Sequence, residues 1–126
     1  MAHENSAVKP TEAELTLLNV LWNMGPATVR QIHDVVSQTQ KTGYTTVLKI
    51  LQIMHEKSLV IRDESNRAHV YAAANSQIQT QSSLIKDLIG KAFGGSTSKL
   101  VMRAIDESTS EEEIDDIRQL LNSLEK

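Results

Sequence analysis

The chemistry of this chain concentrates in the run Tyr44-Thr45-Thr46-Val47-Leu48-Lys49-Ile50-Leu51-Gln52-Ile53-Met54-His55-Glu56-Lys57. Thr45, Thr46, Lys49 and Gln52 bring two hydroxyls, a cation and an amide close together. Such groups exchange hydrogen bonds with phosphate oxygens and base edges in a DNA major groove. Val47, Ile50, Leu51 and Met54 recur at steps of three and four, which predicts a helix with one apolar side. A recognition helix has this pattern, and so does any amphipathic helix with a solvated face. The flanking elements separate the two readings.

Other chemistry fits poorly. His55-Glu56 begins a zinc-protease helix motif, but Leu59 stands where the second histidine is needed. Ser83-Leu84-Ile85-Lys86 and Ser96-Thr97-Ser98-Lys99 have Ser-x-x-Lys spacing without the companion motifs that make it catalytic. The acids Glu111, Glu112, Glu113, Asp115 and Asp116 suit a helix N-terminus better than a cation site. The 4 histidines have no mutual ligand spacing, and no glycine loop cradles a phosphate. The expectation is a protein that is not an enzyme, with no catalytic residue, metal or cofactor.

With 126 residues, 40% of them hydrophobic, the chain holds one domain or a small domain with an appendage. It has 0 cysteines, which excludes disulfides and thiolate metal sites and suits the reducing cytoplasm, the expected location. No stretch approaches the roughly 20 apolar residues of a membrane span, so no membrane insertion is expected. Net charge is −3, but it is unevenly spread. Residues 26–74 carry six cations (Arg30, Lys41, Lys49, Lys57, Arg62, Arg67) against four anions (Asp34, Glu56, Asp63, Glu64), leaving the chain's one basic segment. A local basic surface steers polyanions even on an acidic protein.

The elements that must position the front of the 44–57 helix follow in order. Residues 1–9 read as a flexible tail. Thr11 and Glu14 have capping-box spacing and open a helix with Leu15, Leu18, Leu21 and Trp22 as its buried stripe, ended by Gly25-Pro26. Trp22 reads as a core or hinge anchor. Thr28 and Gln31 repeat the box at a short helix whose core face is Val29, Ile32, Val35 and Val36. The polar connector 37–43 leads into the 44–57 helix, giving a helix-turn-helix. Alternating Leu59-Val60-Ile61-Arg62-Asp63 and His69-Val70-Tyr71-Ala72-Ala73 around a charged tip predict a two-stranded wing with Arg67 at its end.

Beyond residue 75 three amphipathic helices are expected. The first, capped at Asn75-Ser76, carries Ile78, Leu84, Ile85, Leu88, Ile89 and Phe93 and breaks at Gly94-Gly95. A short one carries Leu100, Val101, Ala104 and Ile105 inside. The last, opened by Ser110 and Glu113, carries Ile114, Ile117, Leu120, Leu121 and Leu124. A segment of this size does not cover such stripes by itself, so a second copy is the expected partner, through Leu84, Leu88, Leu100, Val101, Ile105, Ile114, Ile117, Leu120, Leu121 and Leu124; the alternative is that these helices fold back on the wing domain of the same chain. The fold class is mainly α with a small β wing: a winged helix-turn-helix over 10–74 and a helical dimerisation region over 75–126.

The run Thr11-Glu12-Ala13-Glu14 through Leu21-Trp22, then Thr28-Val29-Arg30-Gln31-Ile32, Tyr44-Thr45-Thr46-Val47 and Val70-Tyr71, resembles the BlaI/MecI family of penicillinase repressors. Gly95-Ser96, Leu100-Val101 and Ser110-Glu111-Glu112-Glu113-Ile114 resemble that family's dimerisation segment. The resemblance runs from about residue 10 to 124, and it rests on the order and spacing of these motifs. It implies a homodimeric winged-helix repressor on a palindromic double-stranded DNA operator, with Thr45 and Thr46 in contact with DNA. The family often has a small hydroxyl residue where Lys49 stands, Arg where Ile53 stands and Gly where Ser58 stands. In its β-lactam branch a membrane sensor protease is a partner and induction cuts an Asn-Phe bond; Arg103-Ala104 stands at the matching pair. Its copper branch uses a cysteine cluster that this chain lacks. The expected DNA-contacting set is Thr28, Arg30, Tyr44, Thr45, Thr46, Lys49, Gln52 and Arg67. The alternative is a winged-helix module that contacts protein through the same helix face.

Overall fold

The computed structural model describes residues 9–125. Of the tail expected at 1–9, all but Lys9 lies outside the described residues. The elements are α1 (Glu12–Met24), β1 (Ala27–Thr28), α2 (Val29–Val36), α3 (Tyr44–Glu56), β2 (Val60–Asp63), β3 (Val70–Ala73), α4 (Gln77–Ala92), α5 (Thr97–Ala104) and α6 (Glu111–Leu124). Contacts group these into two compact units that divide after Leu84, within α4.

The first unit is a winged helix. Both predicted capping boxes close: the Glu14 N–H donates to the Thr11 hydroxyl and the Thr11 N–H to Glu14 Oε1, and Thr28 and Gln31 do the same for α2. Each box satisfies two backbone donors that a bare helix start would leave orphaned. Leu17, Leu18, Leu21, Ile32, Val36, Val47, Leu51, Met54, Val60 and Tyr71 form one buried cluster between the three helices and the sheet. Four residues expected in the buried stripes, Leu15, Trp22, Val35 and Ile50, are only half-buried. Leu17 is buried and Leu15 only packs against the cluster, because α1 meets both α2–α3 and the sheet and so buries a wider arc than one stripe. Val35 is likewise half-buried at the edge.

The wing has three strands rather than two. Ala27–Thr28 pairs antiparallel with β3, Ala27 opposite Tyr71 and Thr28 opposite Val70, and β2 pairs along the other edge of β3. Both hairpin strands begin one residue later than the alternation predicts, since Leu59 and His69 lie outside the ladder. Trp22 is an anchor, as expected: its Nε1–H donates to the Asn75 carbonyl at 3.0 Å, fixing α1 to the segment that opens α4.

The exit of α3 is strained. The Leu59 N–H reaches the Met54 carbonyl at 2.9 Å and the Ser58 N–H reaches the His55 carbonyl at 3.1 Å, the two bonds of a Schellman turn. That turn needs a left-handed residue, and Ser58 supplies it at φ 65°. A Cβ in this region costs about 1 kcal/mol. At the end of α4 the same demand is met by glycine, with Gly94 at φ 58° and Gly95 at φ 83°.

In the second unit, α5 and α6 are capped by Ser96 and Ser110, whose hydroxyls accept from the Lys99 and Glu113 N–H groups. None of the described residues of α4, α5 or α6 is buried. Val101 and Ala104, expected inside, are exposed, because no described residue of this unit covers that side of α5.

Ser58→Gly should raise the unfolding free energy by about 0.5–1 kcal/mol, since it relieves the left-handed strain but also frees the unfolded chain. Thermal or urea unfolding measures it, and an unchanged or lowered midpoint would contradict the strain at this turn.

Candidate nucleic-acid interface

The candidate interface is built on α3. One side of that helix, Val47, Leu51 and Met54, is buried in the core, with Leu48 and Ile50 packed at its margins. The opposite side presents Thr45, Thr46, Lys49, Gln52, Ile53 and Glu56, all exposed. A hydroxyl caps every other helix among the described residues, through Thr11, Thr28, Ser76, Ser96 and Ser110. The N-cap of α3 is Gly43, which makes no side-chain cap bond. The first-turn N–H groups beside Thr45 and Thr46 therefore carry the positive end of the helix dipole with no side-chain acceptor over them.

The connector is held by a cluster that periodicity does not reveal. His33 Nε2 lies 2.8 Å from the Thr42 carbonyl and 3.1 Å from the Ser37 hydroxyl. A carbonyl only accepts, so this nitrogen carries the hydrogen. The His33 ring meets Tyr44 edge to face at 6.1 Å, and the Arg30 guanidinium lies 5.9 Å from the Tyr44 ring centre. Arg30 and Tyr44, read singly from sequence as contact residues, thus stand together at the mouth of α3. Thr28 stands differently: it is half-buried, its hydroxyl accepts the Gln31 N–H, and its backbone pairs with β3.

At the far end of α3, Lys57 donates to both oxygens of Glu14 at 3.1 and 2.9 Å. Glu14 is 3% exposed. Burial alone raises its carboxyl, but the Lys57 hydrogen bond and the Thr11 N–H outweigh that and hold it below its ordinary value. Sequence reading missed this pair because 43 positions separate its members.

In the wing, Arg62 sits opposite Tyr71 and donates to Glu64 at 2.7 Å, so this cation is neutralised within its own hairpin. The Tyr71 hydroxyl and then Glu64 push the guanidinium further up from its usual range. Asp63 Oδ1 accepts from the Ser65 N–H and hydroxyl at 2.9 and 2.7 Å, which lowers its carboxyl and shapes the turn. Arg67 stands exposed at the tip. Among the described residues no cluster of ligand side chains could hold a metal ion, and no helix is long and apolar enough to cross a membrane. Arg103 and Ala104 form the exposed last turn of α5.

Glu14→Gln should lower stability at neutral pH by about 1–3 kcal/mol, the worth of a charged hydrogen bond whose lysine keeps contact with water. Glu14 is held below its unfolded value, so its contribution is complete above that value and fades as pH falls through the folded one. The stability gap between wild type and variant should be constant from about pH 6 to 8 and close below about pH 4.5. Urea unfolding across pH checks this, and a gap that widened in acid would contradict the pairing.

A sequence model of the penicillinase repressor family matches residues 10–123. The chain is 30% identical to the transcriptional regulator BlaI of Mycobacterium tuberculosis over 115 residues, which is 90% of this chain and 83% of that protein. It is 21% identical to the penicillinase repressor of Staphylococcus aureus over 97% of this chain and 98% of that one. The methicillin resistance regulatory protein MecI of Staphylococcus aureus is also 21% identical, over 94% and 98%. A capped helix-turn-helix, a wing behind it and these likenesses over nearly the whole chain agree: the protein belongs to the penicillinase repressor family, a family of transcriptional regulators rather than enzymes.

Proposed function

We propose that the protein represses transcription in the cytoplasm as a homodimer on a palindromic DNA operator, with one α3 in the major groove of each half-site. The observation that carries this reading is the division of α3. Its apolar side is spent on the core, while its exposed front combines Thr45, Thr46, Lys49 and Gln52 with an uncapped N-terminus. Backbone N–H groups and hydroxyls hold phosphates and so set the helix in the groove, and Lys49 and Gln52 reach base edges. Arg30 and Tyr44 flank the entry of α3, and Arg67 extends the contact from the wing. Thr28 acts through its cap and strand rather than as a base reader.

The second copy follows from the C-terminal helices. Leu88, Val101, Leu120 and Leu121 are exposed, and Leu124 is 71% exposed. Leu84, Leu100, Ile105, Ile114 and Ile117 are only half-buried. A self-complementary pairing of these stripes around a two-fold axis removes them from water. It also spaces two recognition helices about 34–36 Å apart along the duplex, or a multiple of that.

Thr46→Ala with Lys49→Ala should weaken binding to the protein's own promoter fragment roughly tenfold and flatten its salt dependence, with the dimer unchanged. Equal binding by variant and wild type would instead favour a protein-contact role for this face. Leu121→Asp with Leu124→Asp should sediment as a 14.0 kDa monomer and lose about a hundredfold or more in operator affinity as two-site avidity disappears. A variant still at dimer mass would overturn the assignment of this interface.

A further inference from the structure

One residue on the front of α3 is unlike the rest. Thr45, Thr46, Lys49, Gln52 and Glu56 are polar, whereas Ile53 is a branched aliphatic side chain left 41% exposed. Leu48 and Ile50 pack against the core cluster from the margins of the helix, and Ile53 belongs to neither the core nor that margin. Much of its apolar surface is therefore left open by the fold of this unit.

Its position is specific. At about 100° per residue, seven residues bring the chain almost full circle, so Ile53 lies directly along the helix from Thr46, about 10.5 Å away. Lys49 lies between them. Thr46, Lys49 and Ile53 thus make one stripe two turns long, close to the width of a major groove. Glu56, a turn further on, ends the stripe with a charge that phosphates repel. Within the groove, base pairs offer donors, acceptors and one apolar group, the 5-methyl of thymine.

We infer that Ile53 packs on the 5-methyl group of a thymine in each half-site and so helps to set the base sequence the protein selects. This rests on α3 entering the major groove as proposed above. The contact lies about two turns of α3 beyond Thr46, and it selects thymine over cytosine at that place because cytosine lacks the methyl.

The test uses the full-length dimer and duplexes selected from a random pool by the protein itself. Each thymine is replaced singly by deoxyuridine, which removes the methyl and leaves the pairing edge intact. Binding is measured by fluorescence anisotropy at fixed salt. Wild type should lose about three- to tenfold at one thymine of each half-site, the worth of one buried methyl to one good base contact. Ile53→Ala should bind the methylated and unmethylated duplexes equally. Ile53→Val, which keeps branched methyls, should retain most of the penalty, and this separates loss of the contact from a disturbed helix. Wild-type indifference to deoxyuridine at every position, or an undiminished penalty in Ile53→Ala, overturns the inference while the operator reading stands. A selection that enriches no sequence overturns the operator reading, and the role of Ile53 falls with it.

Discussion

The ion pair between Glu14 and Lys57 fixes α3 in place. Apolar packing holds one side of α3 against the core, but dispersion and hydrophobic burial are non-directional and allow a helix to slide or roll by fractions of a turn. A carboxylate that takes both of its oxygens to one ammonium allows neither. Glu14 also completes the capping box of α1, so the first turn of one helix and the exit of another are locked through a single side chain. Burying a lone carboxylate would cost several kcal/mol; here three hydrogen bonds, from the Thr11 N–H and the Lys57 ammonium, offset that cost. The lock sits at the opposite end of α3 from Thr45 and Thr46, so it constrains the helix without occupying the front.

Much of this was legible in the sequence, and the reason is locality. The boxes at Thr11–Glu14 and Thr28–Gln31 have each partner three residues away, so spacing alone predicts both helix starts, and both form. Alternation around the charged tip predicts the hairpin. The buried face of α3 follows from its period. The failures are non-local or very short. Two residues, Ala27 and Thr28, are too few to show alternation, and only the partner strand makes them a strand. Glu14 and Lys57, or His33 and the Thr42 carbonyl, meet through folding rather than spacing. Leu17 displaced Leu15 because α1 is packed from two directions. For the candidate contact residues the sequence foretold exposure on α3. It did not foretell that Arg30 and Tyr44 stand together, or that the backbone of Thr28, already read as a cap, also pairs with β3.

The two units treat their apolar residues in opposite ways. The first closes a core around Tyr71, which is 1% exposed although it carries a hydroxyl, and that hydroxyl is matched to Arg62 across the strand pair. The second buries nothing among its described helical residues and leaves leucine and isoleucine in open stripes. Unlike the closed unit, an open one gains its hydrophobic contribution only when another surface covers it.

The place of β1 in the sheet has a consequence for how such wings diversify. Because β3 is gripped on both edges, by Ala27–Thr28 on one side and β2 on the other, the register of the hairpin is set at its base. Residues 64–69 carry none of that register. Insertions, deletions and changes of charge can collect there without shifting Tyr71 in the core or the cap that Thr28 provides for α2. The tip is thus an exchangeable cassette on a fixed mount, one that can change while the helix-turn-helix stays the same.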